Sequence, residues 1–187
     1  MAQTATIYTL QVELSDIDRN VFESVSLRVA QHPSEDMPRL VTRVLAYCLL
    51  YGPDLEFGRG LSNAEEPALW HKELDGRIVH WIDVGHPSAD RMHRASKAAN
   101  KMTIVTHKDL WPLQKEAGKR AIHRADEVEV WRLPGDLVSK LAELTTRKSQ
   151  WVVVYADGGL MVTVDDASEP LEGVVERHRL ATLSGPG

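Results

Sequence analysis

The sequence predicts a mixed α/β or α+β protein built on one β-sheet with flanking helices. Three observations lead to this prediction. Some short segments alternate apolar and polar residues, others repeat apolar residues at helical spacing, and the centre of the chain orders these elements as helix, strand, strand, strand, helix, strand. A strand pair joined through a helix to a further strand implies a sheet of mixed direction.

Alternating apolar residues predict a hairpin near each end of the chain. The N-terminal hairpin has strands over 6–14 and 21–29, joined by a turn-rich stretch. The C-terminal hairpin has strands over 151–155 and 160–164 around Asp157-Gly158-Gly159, a sequence that favours a tight turn.

Helical spacing predicts three helices. The first covers 37–51 with Ser34 as its N-cap, the second covers 89–100 after Pro87-Ser88, and the third runs from 134 to about 147. Serine suits these cap positions because its side chain accepts a hydrogen bond from a free backbone amide.

The remaining strands lie between these helices. They are expected at 55–60, in a hairpin over 67–85, at 102–106 and at 128–133, and the stretch 108–124 is expected to be a partly helical loop.

The turn Asp75-Gly76 predicts the register of the central hairpin. If these two residues form the loop, Trp70 lies opposite Trp81. The same register then places Glu66 and Asp83 on one sheet face as diagonal neighbours, roughly 7–8 Å apart at the backbone.

Two carboxylates at this separation can hold one divalent cation. Mg²⁺ prefers oxygen ligands, and Mn²⁺ is the expected substitute. Asp83 follows apolar residues on both faces of its strand, so an acid there needs a partner. The structural alternative is that Glu66 and Asp83 are solvated residues at two strand ends.

Basic side chains follow closely on the second helix. Arg91, Arg94 and Lys97 can contact phosphate, since arginine offers a forked donor and lysine a mobile charge. The alternative is a solvated helix face on which Asp90 pairs with Arg94.

The first helix carries a further polar group. Arg39 and Arg43 lie one turn apart and either line a phosphate-binding surface or form the outer face of that helix. Glu35 suits the first turn of the helix, where a negative charge is favourable.

A zinc site is a weaker alternative. His71 and His80 would be directly opposed in the central hairpin, but no third ligand stands at a recognisable spacing. Cys48 is the only cysteine, so an internal disulfide is excluded, and its apolar neighbours indicate a buried thiol.

Length and charge limit the class of protein. A chain of 187 residues suits one domain over 1–187, with a frayed end at 184–187. Its formal charge of −5 argues against a broad nucleic-acid-coating surface but permits a local basic cleft. No bilayer-spanning stretch or signal peptide is recognisable, so no membrane association and a cytoplasmic location are expected.

Several short motifs occur together in a distinctive order, and the chain resembles the YaeQ family of bacterial proteins over nearly its whole length. The motifs are Asp16-Ile17-Asp18-Arg19, His32-Pro33-Ser34-Glu35, Phe57-Gly58-Arg59-Gly60-Leu61, Glu66-Pro67 and Trp81-Ile82-Asp83-Val84-Gly85-His86-Pro87. The resemblance implies a fold similar to the PD-(D/E)XK nuclease-like superfamily, which has the helix and strand order given above.

The resemblance also implies roles for individual residues. Glu66 and Asp83 match the superfamily's two metal-binding acids, and Glu35 matches its first-helix acid. The superfamily's lysine should stand where this chain has Gly85, so Arg91, Arg94 or Lys97 of the following helix would supply the positive charge, with Arg94 preferred. The expected nucleic-acid contacts are Arg39, Arg43, Arg59 and Arg91.

Two functions follow from this resemblance. The first is Mg²⁺-dependent hydrolysis of phosphodiester bonds in nucleic acid. The second is a nuclease-like module that has no catalytic activity and binds nucleic acid or a protein partner, which Gly85 and the net negative charge favour.

Overall fold

The computed structural model describes residues 4–167 and 169–183, which form a mixed α+β fold. The end at 184–187, expected to fray, lies outside the described residues. In chain order the elements are β1 (Thr6–Asp16), β2 (Val21–Gln31), α1 (Met37–Leu49), β3 (Leu55–Phe57), β4 (Leu69–Lys72), β5 (Ile78–Val84), α2 (Ala89–Ala98), β6 (Ala99–Thr106), α3 (Trp111–Ala117), β7 (Glu129–Arg132), α4 (Gly135–Leu144), β8 (Lys148–Ala156), β9 (Gly159–Val164), β10 (Leu171–Val174) and β11 (Glu176–Arg179).

The strands form two mixed sheets, so the expectation of one sheet was wrong. The chain divides into two compact units. Unit 1 comprises the chain up to Leu50 together with Leu133–Val175, and unit 2 comprises Tyr51–Arg132 together with the chain from Glu176 onwards.

Unit 1 contains the two terminal hairpins, which the alternation correctly predicted. Its sheet has the order β10-β9-β8-β1-β2, and the hairpins meet because β1 runs parallel to β8. Val12 stands beside Trp151 in that register, and both are buried in the core. Helices α1 and α4 pack against each other.

The N-cap of helix α1 is a different residue from the predicted one. Asp36, and not Ser34, is the N-cap, because the Asp36 carboxylate accepts a hydrogen bond from the Arg39 amide at 2.9 Å. Glu35 therefore precedes the helix and is free to turn its side chain towards α1.

Unit 2 contains a six-stranded sheet of order β11-β7-β6-β5-β4-β3. Helix α2 connects β5 to its parallel neighbour β6, and Ser88 caps α2 as predicted. One sheet face carries Trp81, Met102 and Ile104, which pack with Met92 of α2 and Leu113 of α3.

The β4–β5 hairpin has a longer loop than the sequence suggested. Glu73 donates its amide to the Arg77 carbonyl at 2.9 Å, so three residues form the loop. A bulge at Val79 then absorbs the extra residue, and Trp70 pairs with Trp81 as predicted. Bulges insert one unpaired residue in this way, so two local errors cancel in the register.

No helix within residues 4–167 and 169–183 combines the length and hydropathy needed to cross a bilayer.

At Gly58 two chain segments of unit 2 approach each other closely. Its amide donates to the Ala68 carbonyl at 3.0 Å. A Cβ at this position would lie 2.2 Å from the Pro67 carbonyl oxygen. A side chain would therefore force the segment that carries Glu66 away from β3.

Gly58→Ala is expected to lower the free energy of unfolding by about 1–3 kcal/mol, as overpacking does in folded proteins. Gly52→Ala is the control, because a Cβ there meets no atom within 4 Å and should change stability by less than about 1 kcal/mol. Urea denaturation measures both, and equal midpoints for the two variants would contradict this account.

Candidate functional site

Asp83 lies near the end of β5 on the face covered by α2, and only 3% of the residue is exposed. A buried carboxylate requires a partner. Arg91 of α2 provides it, with Nε 2.8 Å from one Asp83 oxygen and Nη2 2.9 Å from the other. This two-bond geometry is the strongest form of an arginine–carboxylate pair.

Arg91 also holds the chain segment that precedes β4. Its Nη2 donates to the Glu66 carbonyl at 2.8 Å and its Nη1 donates to the Ala64 carbonyl. Burial opposes the charge of Arg91, but the hydrogen bonds and charge of Asp83 outweigh it and raise the pKa of the guanidinium. Arg91 is therefore a fixed cation at the centre of the site.

The Glu66 side chain occupies a different place from the predicted one. The β4 ladder begins at Leu69, so Glu66 is not a strand residue opposite Gly85, and that part of the register prediction was wrong. Its carboxylate accepts bonds from Arg59, through the backbone amide at 2.8 Å and through Nη2 at 2.8 Å. These bonds lower the pKa of Glu66.

Gly85 has a backbone conformation that a lysine would rarely adopt. Its φ is +94°, and its amide donates to the Val105 carbonyl at 2.9 Å. Space is not the obstacle, since a Cβ there would meet no atom within 4 Å. Left-handed backbone costs a residue with a side chain about 1–2 kcal/mol.

A groove of about 220 Å³ lies beside this cluster in unit 2, with Trp81, Arg91 and Arg94 among its lining residues. Arg94 makes a loose 3.5 Å ion pair with Glu65, and 63% of its side chain is exposed. Lys97 is exposed in the last turn of α2. The groove therefore has largely apolar walls, with the loosely paired charges of Arg94 and Glu65 among its lining residues.

The sequence placed Arg91 on the basic flank of α2 as a nucleic-acid contact and as one of three candidates for the site's positive charge, with Arg94 preferred. The structure instead brings Arg91 onto Asp83. The sequence position of Arg91 could have predicted this contact, because Arg91 lies in the first helical turn after a short loop and faces back towards the strand end.

Glu35, Arg39 and Arg43 form a separate network in unit 1. Arg43 donates to both Glu35 oxygens at 2.7 Å, and Arg39 donates to one at 2.8 Å. Arg43 also donates to the Ala30 carbonyl at 2.8 Å. Glu35 and Arg43 are buried, so this network joins the end of β2 to α1.

His71 and His80 are directly opposed in the hairpin, as predicted. The His80 ring hydrogen-bonds to the Thr103 hydroxyl at 2.8 Å. Across the described part of the chain, no group of three or more His, Cys, Asp or Glu side chains is arranged to hold a metal ion. Burial, and then the charge of Lys101, lower the pKa of His80 to about 4.

Fold and site together define a class: an α+β protein with two mixed sheets in which arginines bind the two candidate acids of the central hairpin. The chain belongs to the YaeQ family, since the family model described as YaeQ protein matches residues 1–172.

Similarity to individual relatives extends over most of the chain. An "Uncharacterized protein YaeQ" of Escherichia coli (strain K12) is 30% identical over 169 residues, which is 88% of this chain and 92% of that protein. The Salmonella typhi protein of the same description is 31% identical over 176 residues, covering 92% and 94%.

Two crystal structures of YaeQ proteins match the fold. The structure from Pseudomonas syringae has a TM-score of 0.84 at 36% identity and covers 99% of each chain. The structure from Xanthomonas axonopodis pv. citri has a TM-score of 0.84 at 30% identity and covers 94% of this chain and 99% of that one.

Asp83→Asn is expected to lower the free energy of unfolding by about 2–4 kcal/mol, because it leaves the Arg91 charge largely buried without its partner. Asp75→Asn is the matched control, since Asp75 binds Arg77 through Nε at 2.7 Å at an exposed position. Exposed pairs contribute little, so urea denaturation should show a much smaller change there. Equal losses of unfolding free energy in the two variants would show that the Asp83–Arg91 pair stabilises the fold no more than the exposed pair does.

His80 is expected to make stability fall as the pH drops from about 6.5 to about 4. The folded protein keeps His80 neutral in this range while the unfolded chain binds a proton. The shift corresponds to about 3 kcal/mol. His80→Gln keeps a donor for Thr103 without titrating there, so its stability relative to wild type should rise on acidification. A constant difference between the two proteins, measured by urea denaturation across this range, would contradict the prediction.

Proposed function

We propose that this chain binds single-stranded nucleic acid at the end of β5 and does not hydrolyse it. The observation that carries the proposal is the bidentate contact of Arg91 with Asp83. The acid that hydrolysis would need as a metal ligand is already neutralised, while positive side chains around it stay exposed.

The groove beside Arg91 supports a single strand as the ligand. Proteins bind single strands by combining positive charge along the backbone with apolar or aromatic surface for the bases. Here the walls include Trp81 and Ala95, and Arg94 stands at the rim. An unpaired base fits such a groove, whereas a duplex keeps its bases stacked inside.

The distribution of charge also supports a local interface. Most of the 22 lysine and arginine residues belong to unit 2, where they balance the acids, while unit 1 is strongly acidic. The positive side chains that line the groove are Arg91 and Arg94. Contacts of this kind are to phosphate, so affinity should depend on salt and little on sequence.

Mg²⁺-dependent phosphodiester hydrolysis is the second candidate. It is favoured by Arg91, which binds the Asp83 carboxylate and the backbone carbonyl of Glu66 and so holds the segment that carries Glu66 beside Asp83. Mg²⁺, or Mn²⁺ in its place, would use these two acids as ligands. Their present arrangement does not fit the ion, because Arg59 and Arg91 already occupy the carboxylates.

Arg94→Gln is expected to weaken binding of a labelled single-stranded oligonucleotide by roughly threefold to tenfold. It should also reduce the salt dependence, with a slope smaller by about 0.7 for one lost phosphate contact. Arg77→Gln is the matched control, because Arg77 is 69% exposed and has one carboxylate partner, as Arg94 does. Fluorescence anisotropy measures both variants.

The same oligonucleotides, single-stranded, duplex and branched, distinguish the alternatives. The oligonucleotides are expected to remain uncleaved in the presence of Mg²⁺ or Mn²⁺. Cleavage that disappears in Glu66→Gln but persists in Glu56→Gln, an exposed acid of β3, would instead establish hydrolysis. Failure to bind any oligonucleotide would refute the proposal and leave a protein partner for this surface.

A further inference from the structure

A second group of charged residues lies on the opposite face of the unit 2 sheet. Glu129 of β7 is buried and pairs in register with Arg179 of β11, while Trp131 pairs with Arg177. Directly opposed residues share a sheet face. Lys101 of β6 forms an ion pair with the Glu129 carboxylate.

Three cations share the one carboxylate of Glu129. Its oxygens lie 3.3 Å from Lys101 Nζ, 3.7 Å from Arg179 Nη1 and 4.0 Å from Arg177 Nη2. These distances are longer than those of a tightly hydrogen-bonded pair, and two of the three positive charges remain formally uncompensated within the cluster.

The Glu129 carboxylate is ionised despite its burial. Burial opposes its charge, but the Trp131 indole donates to it at 3.0 Å and the neighbouring cations stabilise it, so its pKa is lowered. Glu129 therefore holds Lys101 and Arg179 near each other at long range, and Arg179 Nη1 donates its short hydrogen bond to the Glu127 carbonyl at 2.9 Å instead. All three cations are about half exposed.

The cluster borders a groove of about 310 Å³, lined by Lys101, Arg179, Arg124 and Ser96 among others. Arg124 donates to the Ser96 and Ala99 carbonyls, each at 2.7 Å, which fixes this cation at the end of α2. The groove shares no lining residue with the one beside Arg91. It is thus a polar depression that carries three cations and one exposed acid, Glu127, which pairs with Arg124 at 3.3 Å.

We propose that this groove binds a phosphate-type oxyanion between Lys101 and Arg179, with Arg177 at its edge. Lysine and arginine are the side chains best suited to phosphate oxygens. The phosphate belongs either to a small phosphorylated molecule or to a nucleic-acid backbone, because both present the same group. The site does not depend on the function proposed for the end of β5.

Titration of the whole protein with inorganic phosphate, followed by calorimetry and amide chemical shifts, tests the site. Lys101→Gln and Arg179→Gln are each expected to weaken binding about tenfold. Arg120→Gln is the matched control, since Arg120 is similarly exposed and pairs with Asp90 elsewhere in unit 2. Glu129→Gln should bind phosphate more tightly, because it removes the charge that competes for the same cations.

Several results would overturn the proposal: no phosphate binding by wild type, unchanged binding in Lys101→Gln and Arg179→Gln, or weaker binding in a folded Glu129→Gln. Thermal melting verifies folding, and the two cation variants carry the test if Glu129→Gln does not fold. If an oligonucleotide displaces bound phosphate, the natural ligand is a nucleic-acid backbone. If it does not, the ligand is a small phosphorylated molecule. If Arg94→Gln loses oligonucleotide binding and keeps phosphate binding, the result concerns only the groove beside Arg91.

Discussion

The ion pair between Asp83 and Arg91 determines the arrangement of the end of the unit 2 sheet. A carboxylate on a strand with two buried faces is unfavourable without a partner of opposite charge. Arg91 supplies that charge from α2 and uses its remaining donors on the carbonyls of Ala64 and Glu66. One guanidinium therefore joins the strand, the helix and the preceding segment, and the same Arg91 lines the groove beside them.

Two other acids of this chain show how the number of partners changes what a carboxylate can do. Glu35 is enclosed by Arg39 and Arg43 at hydrogen-bonding distance, which makes a closed, buried network. Glu129 has three cations at longer range, which leaves their outer donors available. Short distances and burial indicate a structural role, whereas loose sharing and exposure indicate a capacity to bind.

Local patterns predicted the local elements well, because alternation and helical spacing report directly on which side chains are buried. The terminal hairpins, the Ser88 cap and the pairing of Trp70 with Trp81 all follow from such patterns. The pairing of strands that are distant in sequence does not follow from these local patterns. Nothing in β1 indicates that β8 is its neighbour, so one sheet was expected where there are two. Strand β11 was missed because Glu176–Arg179 is polar throughout.

The candidate site was predictable in its residues more than in its contacts. The turn led us to expect Glu66 and Asp83 on one sheet face, but β4 begins only at Leu69 and does not reach Glu66. The three-residue loop, the bulge and this strand limit are features that Asp75-Gly76 does not specify. On a helix, three positions separate Arg91 from Arg94, and only the position of α2 on the sheet decides which of them faces Asp83.

Gly85 gives the end of β5 a backbone conformation that residues with side chains disfavour. With φ at +94° and its amide bonded to Val105, the backbone itself would have to change together with the side chain. A Cβ at this position would meet no atom within 4 Å, so the obstacle to replacement is the backbone conformation and not a lack of space. In evolutionary terms, any other residue at Gly85 would be accepted most easily together with a coupled change in the loop after β5.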